Sequence, residues 1–198
     1  LKQKNFDREQ LEAWDVELCR LSESIDRSRR DYFSALCPAL LETVARLIDI
    51  PGLSLQYSRG WDDSADLGSV LKSGIFKDLK YGATQHGPHR ADISVKIARN
   101  DAVEVLSRGQ QKLLVSAMKI AQGALLSRLL GVKSVYLLDD LPSELDLANR
   151  KRVCLLLHEL ECQVFMTCVD PAELERSWPA GLLPRKFHVE HGKISPSD

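Results

Sequence analysis

The chain has 198 residues, 44% of them apolar and 28% charged, and a formal net charge of −1. That length supports one good core or a core with an appendage, and the composition is that of an ordinary globular protein. The near-neutral balance excludes a protein that holds polyanions by bulk charge, so any DNA contact needs a local basic patch or a complementary domain.

Residues 1 to about 50 read as helical, with no glycine and a single proline, Pro38. Leu11, Trp14, Leu18, Leu21 and Ile25 recur at helical spacing, and Leu36, Leu40, Leu41, Val44, Leu47 and Ile48 resume the pattern before Pro51-Gly52 ends it. The segment suits a helical hairpin packed on itself or on a neighbour. Arg27, Arg29 and Arg30 read first as a solvated face and second as a DNA-touching arm. No secretory signal is expected, because Lys2, Lys4, Asp7 and Arg8 interrupt the first apolar cluster, and no apolar run approaches a membrane span.

Alternation at Leu53, Leu55 and Tyr57 predicts a strand ending near Trp61, and Ser64 is a candidate cap for a helix through Leu67, Val70, Leu71 and Ile75. After a turn-rich stretch over 82–89, Ile93, Val95 and Ile97 alternate, Asn100-Asp101 turns, and Val103 and Val105 alternate again, which predicts a hairpin. A long amphipathic helix is expected over about 108–130, stopped by Gly131. The apolar run 135–138 reads as a buried parallel strand, followed by a helix over about 147–160, a strand over 164–168, a short helix over 171–176 and a closing strand pair turning at Gly192. The alternation of helices and strands in the second half predicts an α/β layer. The five cysteines, Cys19, Cys37, Cys154, Cys162 and Cys168, lack CxxC spacing and read as reduced thiols. His86 and His89 flank Gly87-Pro88 with no third ligand near, which does not support a metal site.

Two motifs carry chemistry. In Leu106-Ser107-Arg108-Gly109-Gln110-Gln111-Lys112, Ser107 and Gln110 have the spacing of a capping box, which accounts for both. It does not account for Gly109, a poor helix former in the first turn, where the missing side chain lets a ligand approach the backbone. A helix N-terminus flanked by Arg108 and Lys112 suits a phosphate. The second motif is an apolar strand ending in Asp139-Asp140, the pattern of a Walker B strand, in which one carboxylate serves Mg²⁺ and the next sits near an attacking water. Leu141-Pro142-Ser143-Glu144-Leu145-Asp146 then follows, and alone it reads as a proline turn with a Ser or Asp cap.

In combination and in this order, the motifs resemble an ABC-type ATPase head. The Gln110-Gln111-Lys112 extension, the Asp139-Asp140 doublet, Ser143-Glu144-Leu145-Asp146, and Gly87-Pro88-His89-Arg90 followed by Asp92 resemble the RecF family in particular. The motif-bearing region 82–167 covers nearly half the chain. The last strands, 187–194, also fit the family, and the leading helices resemble its arm domain.

The resemblance implies an α/β fold: the C-terminal lobe of an ABC/SMC-like ATPase head over 51–198, with an N-terminal helical arm segment over 1–50. It implies a cytoplasmic, DNA-binding repair and replication ATPase with a part in the SOS response. Such a protein dimerises head to tail around ATP and acts with RecO and RecR to load RecA at single-strand gaps. Expected partners are double-stranded DNA, single/double-strand junctions and a second copy of the protein, with no membrane. In that sandwich Ser107, Arg108, Gly109 and Gln110 would meet the γ-phosphate held by the other protomer. Asp139 would serve Mg²⁺, Asp140 would take the catalytic position, and the loop containing Ser143 and Asp146 would cross the dimer interface. The sequence departs from the pattern in having no GxxxxGK[ST] phosphate loop, so the chain reads as a fragment of a weakly active ATPase and is expected to be inactive alone. Thr167 stands where many relatives carry a switch histidine, and Arg108 replaces the second glycine of the transporter-type motif. The alternative is a non-catalytic interaction or DNA-clamp module of another SMC-like repair ATPase head. Such heads usually carry long heptad coiled coils, and the helical segment here is too short for that.

Overall fold

The computed structural model describes residues 8–179, 181–182 and 184–197, so residues 1–7 of the expected helical segment lie outside it. The chain divides into two compact units. One holds the residues up to Pro38 together with Pro51–Val105, and the other holds Ala39–Ile50 with Leu106–Asp198. This partition follows different lines from the expected 1–50 and 51–198 division.

The first helix, α1, runs unbroken over Arg8–Leu47, so the leading segment is one continuous helix and not a hairpin. The charged run does not break it, because Arg30 Nε reaches back one turn to Asp26 at 2.9 Å. Pro38 lies inside α1, and the unit boundary falls directly after it. Within the first unit the chain continues through β1 (Leu53–Ser58), α2 (Leu67–Tyr81), a 3₁₀ turn (Pro88–Arg90), β2 (Asp92–Ile97), β3 (Asn100–Asp101) and α3 (Ala102–Val105). Strands β1 and β2 pair antiparallel, Leu55 opposite Val95, as the alternation predicts. The expected return strand stops after two residues. Residues Ala102–Val105 instead turn helical, with Ala102 buried and Val103 and Val105 exposed. Two alternating valines are too short a signal to separate a strand from one helical turn. The cap of α2 is Asp66, which accepts the Ser69 N–H, and not Ser64. Ser64 instead bonds to the side chain of Asp62.

Buried Asp26 organises this unit. It takes hydrogen bonds from Arg30 and from the Tyr57 hydroxyl at 3.1 Å, and Arg59 lies 3.6 Å away. The Arg59 guanidinium in turn stacks 3.8 Å from the Trp61 ring centre. Burial first, and then the bond to Asp26, push the Tyr57 phenol above its ordinary range. Two of the three arginines offered as a DNA arm are therefore engaged in structure. Arg30 also pairs with Asp63, and Arg29 donates to the Pro88 carbonyl at 2.6 Å. That bond ties α1 to the Gly87-Pro88-His89-Arg90 turn. Gly87 has φ 135°, and a Cβ on Gly60 would overlap the Gly87 carbonyl oxygen, so both positions require glycine. The His89 ring bonds to the Thr84 carbonyl at 2.9 Å, closing the turn on itself.

The second unit contains the last residues of α1, then α4 (Arg108–Leu130), β4 (Val135–Leu138), α5 (Leu141–Glu144), α6 (Leu147–Glu159), β5 (Gln163–Met166), α7 (Pro171–Glu175) and the antiparallel pair β6 (Lys186–Glu190) and β7 (Lys193–Ser197). Helix α4 is long and apolar enough to cross a membrane by length and composition. Leu113, Leu114, Ala117, Ile120, Ala121 and Leu125 are buried within the fold, however, which is the behaviour of a core helix. It ends as expected on Gly131 in the left-handed conformation. Strand β4 packs on α4 through Tyr136, whose hydroxyl donates to the Ile120 carbonyl at 3.0 Å. A Cβ on Gly123 would overlap that hydroxyl, so the glycine admits the ring. Strands β4 and β5 are parallel, as expected, with Leu138 opposite Met166. They are not buried on both faces. Tyr136 and Leu138 are half-buried, while Leu137 is 77% exposed and Val135 and Phe165 are exposed beside it. Among the described residues this sheet has two strands and one covered face.

All five cysteines are free, as the spacing predicts. Burial pushes the Cys154 thiol up to about 11 despite the nearby Arg150. Among the described residues no group of histidine, cysteine or carboxylate side chains could by itself hold a metal.

Candidate functional site

At the start of α4 both halves of the capping box are made. The Ser107 oxygen accepts the Gln110 N–H at 3.3 Å, and the Gln110 side-chain carbonyl accepts the Ser107 N–H at 2.9 Å. Gln111 adds a bond from its side-chain amide to the Leu106 carbonyl at 2.9 Å. Capping does not exhaust the motif. The Ser107 hydroxyl has accepted a bond and keeps its own proton to donate. The N–H groups of Arg108 and Gly109 meet no acceptor among the described residues, and Arg108 is in no described ion pair. A Cβ built on Gly109 would find nothing within 4 Å, so packing inside the chain does not demand a glycine there.

That observation yields a prediction with two signs. Gly109→Ala should stabilise the chain by up to about 1 kcal/mol, since alanine costs less backbone entropy in a helix. Denaturant unfolding measures this. If the glycine serves an approaching ligand, the same change should weaken nucleotide-dependent behaviour. A variant that is more stable and functionally unaltered would remove the reason for the glycine.

At the carboxyl ends of β4 and β5, Asp139, Asp140 and Thr167 come together. The Thr167 N–H donates to the Leu138 carbonyl at 3.0 Å, extending the parallel ladder by one step. The Thr167 hydroxyl donates to Asp139 Oδ1 at 2.6 Å and accepts the Asp140 N–H at 2.9 Å. Asp139 is exposed and Asp140 half-buried, and neither has a cationic partner among the described residues. Asp140 has φ 44° and ψ 46°, the left-handed region that Asp and Asn tolerate better than other side chains. Its carbonyl accepts the Ser143 N–H at 3.0 Å, which starts the one-turn α5. The local field is negative. Burial and then the charges of Asp170, Asp140 and Glu173 push the Cys168 thiol upward.

The two motifs are connected through Lys112, on the first turns of α4, which pairs with Glu144 in α5. Asp146 caps α6, accepting both the backbone N–H and the side-chain amide of Asn149, at 2.9 and 2.8 Å. Sequence reasoning offered that capping role and the interface role together, and the cap is made. It missed the Lys112–Glu144 pair and the part of Thr167. The first needs the helix and the loop brought together, and the second needs the register of β4 on β5.

The residues present fit a nucleotide-bound Mg²⁺ and not a free metal site. Mg²⁺ takes one or two protein carboxylates and completes its shell with phosphate oxygens and water. Asp139 offers one oxygen beyond the one Thr167 occupies, and no cation neutralises it among the described residues.

No protein-family model matches the chain. It is 49% identical over 195 residues to the DNA replication and repair protein RecF of Pseudomonas paraeruginosa, covering 98% of this chain and 53% of that protein. To the same protein of Pseudomonas putida it is 47% identical over the same extent. The chain thus spans about half the length of these relatives. Among solved structures it superposes on the recombination mediator protein RecF with ATP, TM-score 0.78 at 23% identity, covering all of this chain and 53% of that one. Its superposition on RecF with an ATP analogue is as close, TM-score 0.78 at 24% identity, covering 98% of this chain and 52% of that one. The mixed α/β fold, the motif order and a likeness running through nearly every residue agree, and over nearly all its length the chain is similar to about half of the RecF protein.

Proposed function

We propose that this chain is part of a RecF-type, ATP-dependent DNA-repair protein that acts as a recombination mediator at single-strand gaps. It contributes the surface that meets ATP across a dimer and the carboxylates that serve the nucleotide's metal. The observation that carries the reading is the cluster at the ends of the parallel strands: two adjacent carboxylates without a described cation partner, the first bonded by a threonine hydroxyl that also takes the backbone N–H of the second residue. The uncapped N–H groups and open glycine at the start of α4 support it. Ser107, Arg108, Gly109 and Gln110 are assigned to the γ-phosphate held by a second copy, and Ser143 and Asp146 to the loop crossing the dimer interface. Asp139 is assigned to Mg²⁺ and Asp140 to the attacking water. The names of the relatives support a role in DNA repair, and the RecFOR pathway named for the solved structures supports partners of the RecO and RecR type. Double-stranded DNA and single/double-strand junctions are the proposed nucleic-acid partners, and the cytoplasm the proposed compartment.

The sequence contains no GxxxxGK[ST] loop, so the phosphates lack their principal cradle here. The exposed apolar face of β4 and β5 fits a surface covered by further protein. The purified chain alone is therefore expected to bind ATP weakly and to release no phosphate, while the full-length protein turns ATP over. Labelled-ATP binding with Mg²⁺ and a phosphate-release assay on both decide it. Robust turnover by the chain alone, or no ATP binding by the full-length protein, would contradict the reading.

A further inference from the structure

The Thr167 hydroxyl is the only side-chain group among the described residues bonded to both members of the Asp139-Asp140 doublet. The direction of its bonds is fixed. A backbone N–H can only donate, so the Asp140 amide uses a lone pair of the hydroxyl, and the hydroxyl proton goes to Asp139 Oδ1. At 2.6 Å that contact has the length of a charge-assisted O–H···O⁻ bond. The β-branched side chain has few χ1 choices, and the backbone N–H of Thr167 is tied to Leu138. The hydroxyl is thus held from its own strand and from the strand it serves.

We propose that Thr167 is a positioning residue that fixes the Asp139 carboxylate for a nucleotide-bound divalent cation. The proposal rests on the reading of this chain as part of an ATP site. With Oδ1 engaged, Asp139 presents its second oxygen, which accepts no bond among the described residues, as a single-point ligand. A neutral donor orients the carboxylate while leaving its charge intact for the cation, whereas a lysine or arginine at this position would cancel it. Partners of this kind orient metal ligands and raise their affinity, and losing one weakens metal binding by about 10–100-fold.

The test uses the full-length protein as wild type, Thr167→Val, Thr167→Ala and Thr167→Ser. Thr167 is exposed, so valine is accommodated, and alanine removes the hydroxyl without adding apolar surface. Mn²⁺ affinity in the presence of nucleotide is read by electron paramagnetic resonance, alongside metal-free nucleotide affinity and the Mg²⁺ concentration for half-maximal turnover. Val and Ala should weaken Mn²⁺ binding by about 10-fold or more and raise the Mg²⁺ requirement in parallel. Ser should restore both, and metal-free nucleotide binding should be the same throughout. Val and Ala variants with wild-type metal affinity would overturn the proposal, and so would a Ser variant as weak as Val, because the methyl group would then be the feature that counts. A wild-type protein that binds no Mn²⁺ with nucleotide would instead contradict the ATP-site reading itself.

Discussion

In the full-length protein, Asp140→Asn lowers ATP turnover by about 10²–10⁴-fold, the range expected for loss of a positioned general base, while ATP affinity changes far less. Asp139 and Asp140 follow β4 directly, and the chain turns into the left-handed conformation at Asp140. Asp139 is the one engaged by the Thr167 hydroxyl. Asp140 contributes its backbone to that threonine and keeps its carboxylate for other work. Asparagine suits the test for a structural reason as well. Asp140 sits at φ 44°, a conformation that asparagine tolerates as well as aspartate, so the substitution removes charge and basicity without adding backbone strain. An ATP-bound dimer that persists is the second sign of the same lesion. Asp139→Asn should behave differently, weakening the Mg²⁺-dependent step itself. Single-turnover hydrolysis with nucleotide-affinity measurements separates the two. An Asp140→Asn protein that hydrolyses ATP at the parental rate would move the base elsewhere.

Ser107→Arg abolishes ATP-driven dimerisation in the full-length protein and leaves ATP binding by a single protomer largely intact. The substitution removes one half of the capping box, costing about 1 kcal/mol locally, too little to unfold a core helix with six buried apolar residues. What it adds is bulk and positive charge beside Arg108, at the surface assigned to the partner's nucleotide. Light scattering with and without ATP reads the result. A Ser107→Thr variant keeps an oxygen at the cap and should dimerise. Unchanged dimerisation by Ser107→Arg would leave Ser107 with its capping role only.

Much of this arrangement was legible in the sequence where the signal is local. Ser107 with Gln110, and Gly131 at the other end, bound α4 to the residue, because caps are read from neighbours along the chain. The apolar run ending in Asp139-Asp140 announced a parallel strand, and it pairs in parallel with the strand expected over 164–168, which spans Gln163–Met166. What stayed hidden depends on tertiary partners. Burial of Val135 and Leu137 cannot be read from their hydrophobicity, because it depends on what covers them. The role of Thr167 depends on cross-strand register, and that of Lys112 on a pairing with Glu144 that no local pattern encodes. The strand expected over Val103 and Val105 failed because tertiary context decides so short a pattern.

Ser107 is assigned to one protomer's nucleotide from across the dimer, whereas Asp140 is assigned to the nucleotide of its own protomer. Mixing tests this directly. Full-length Ser107→Arg and Asp140→Asn proteins, each inactive alone, are combined and ATP hydrolysis is measured. In a head-to-tail pair one site then carries both lesions and the other carries none. Turnover should reappear on mixing, at a rate below that of the wild type, because each mixed pair has one intact site. A mixture that stays as inactive as its components would mean that Ser107 and Asp140 do not serve opposite sides of a shared site.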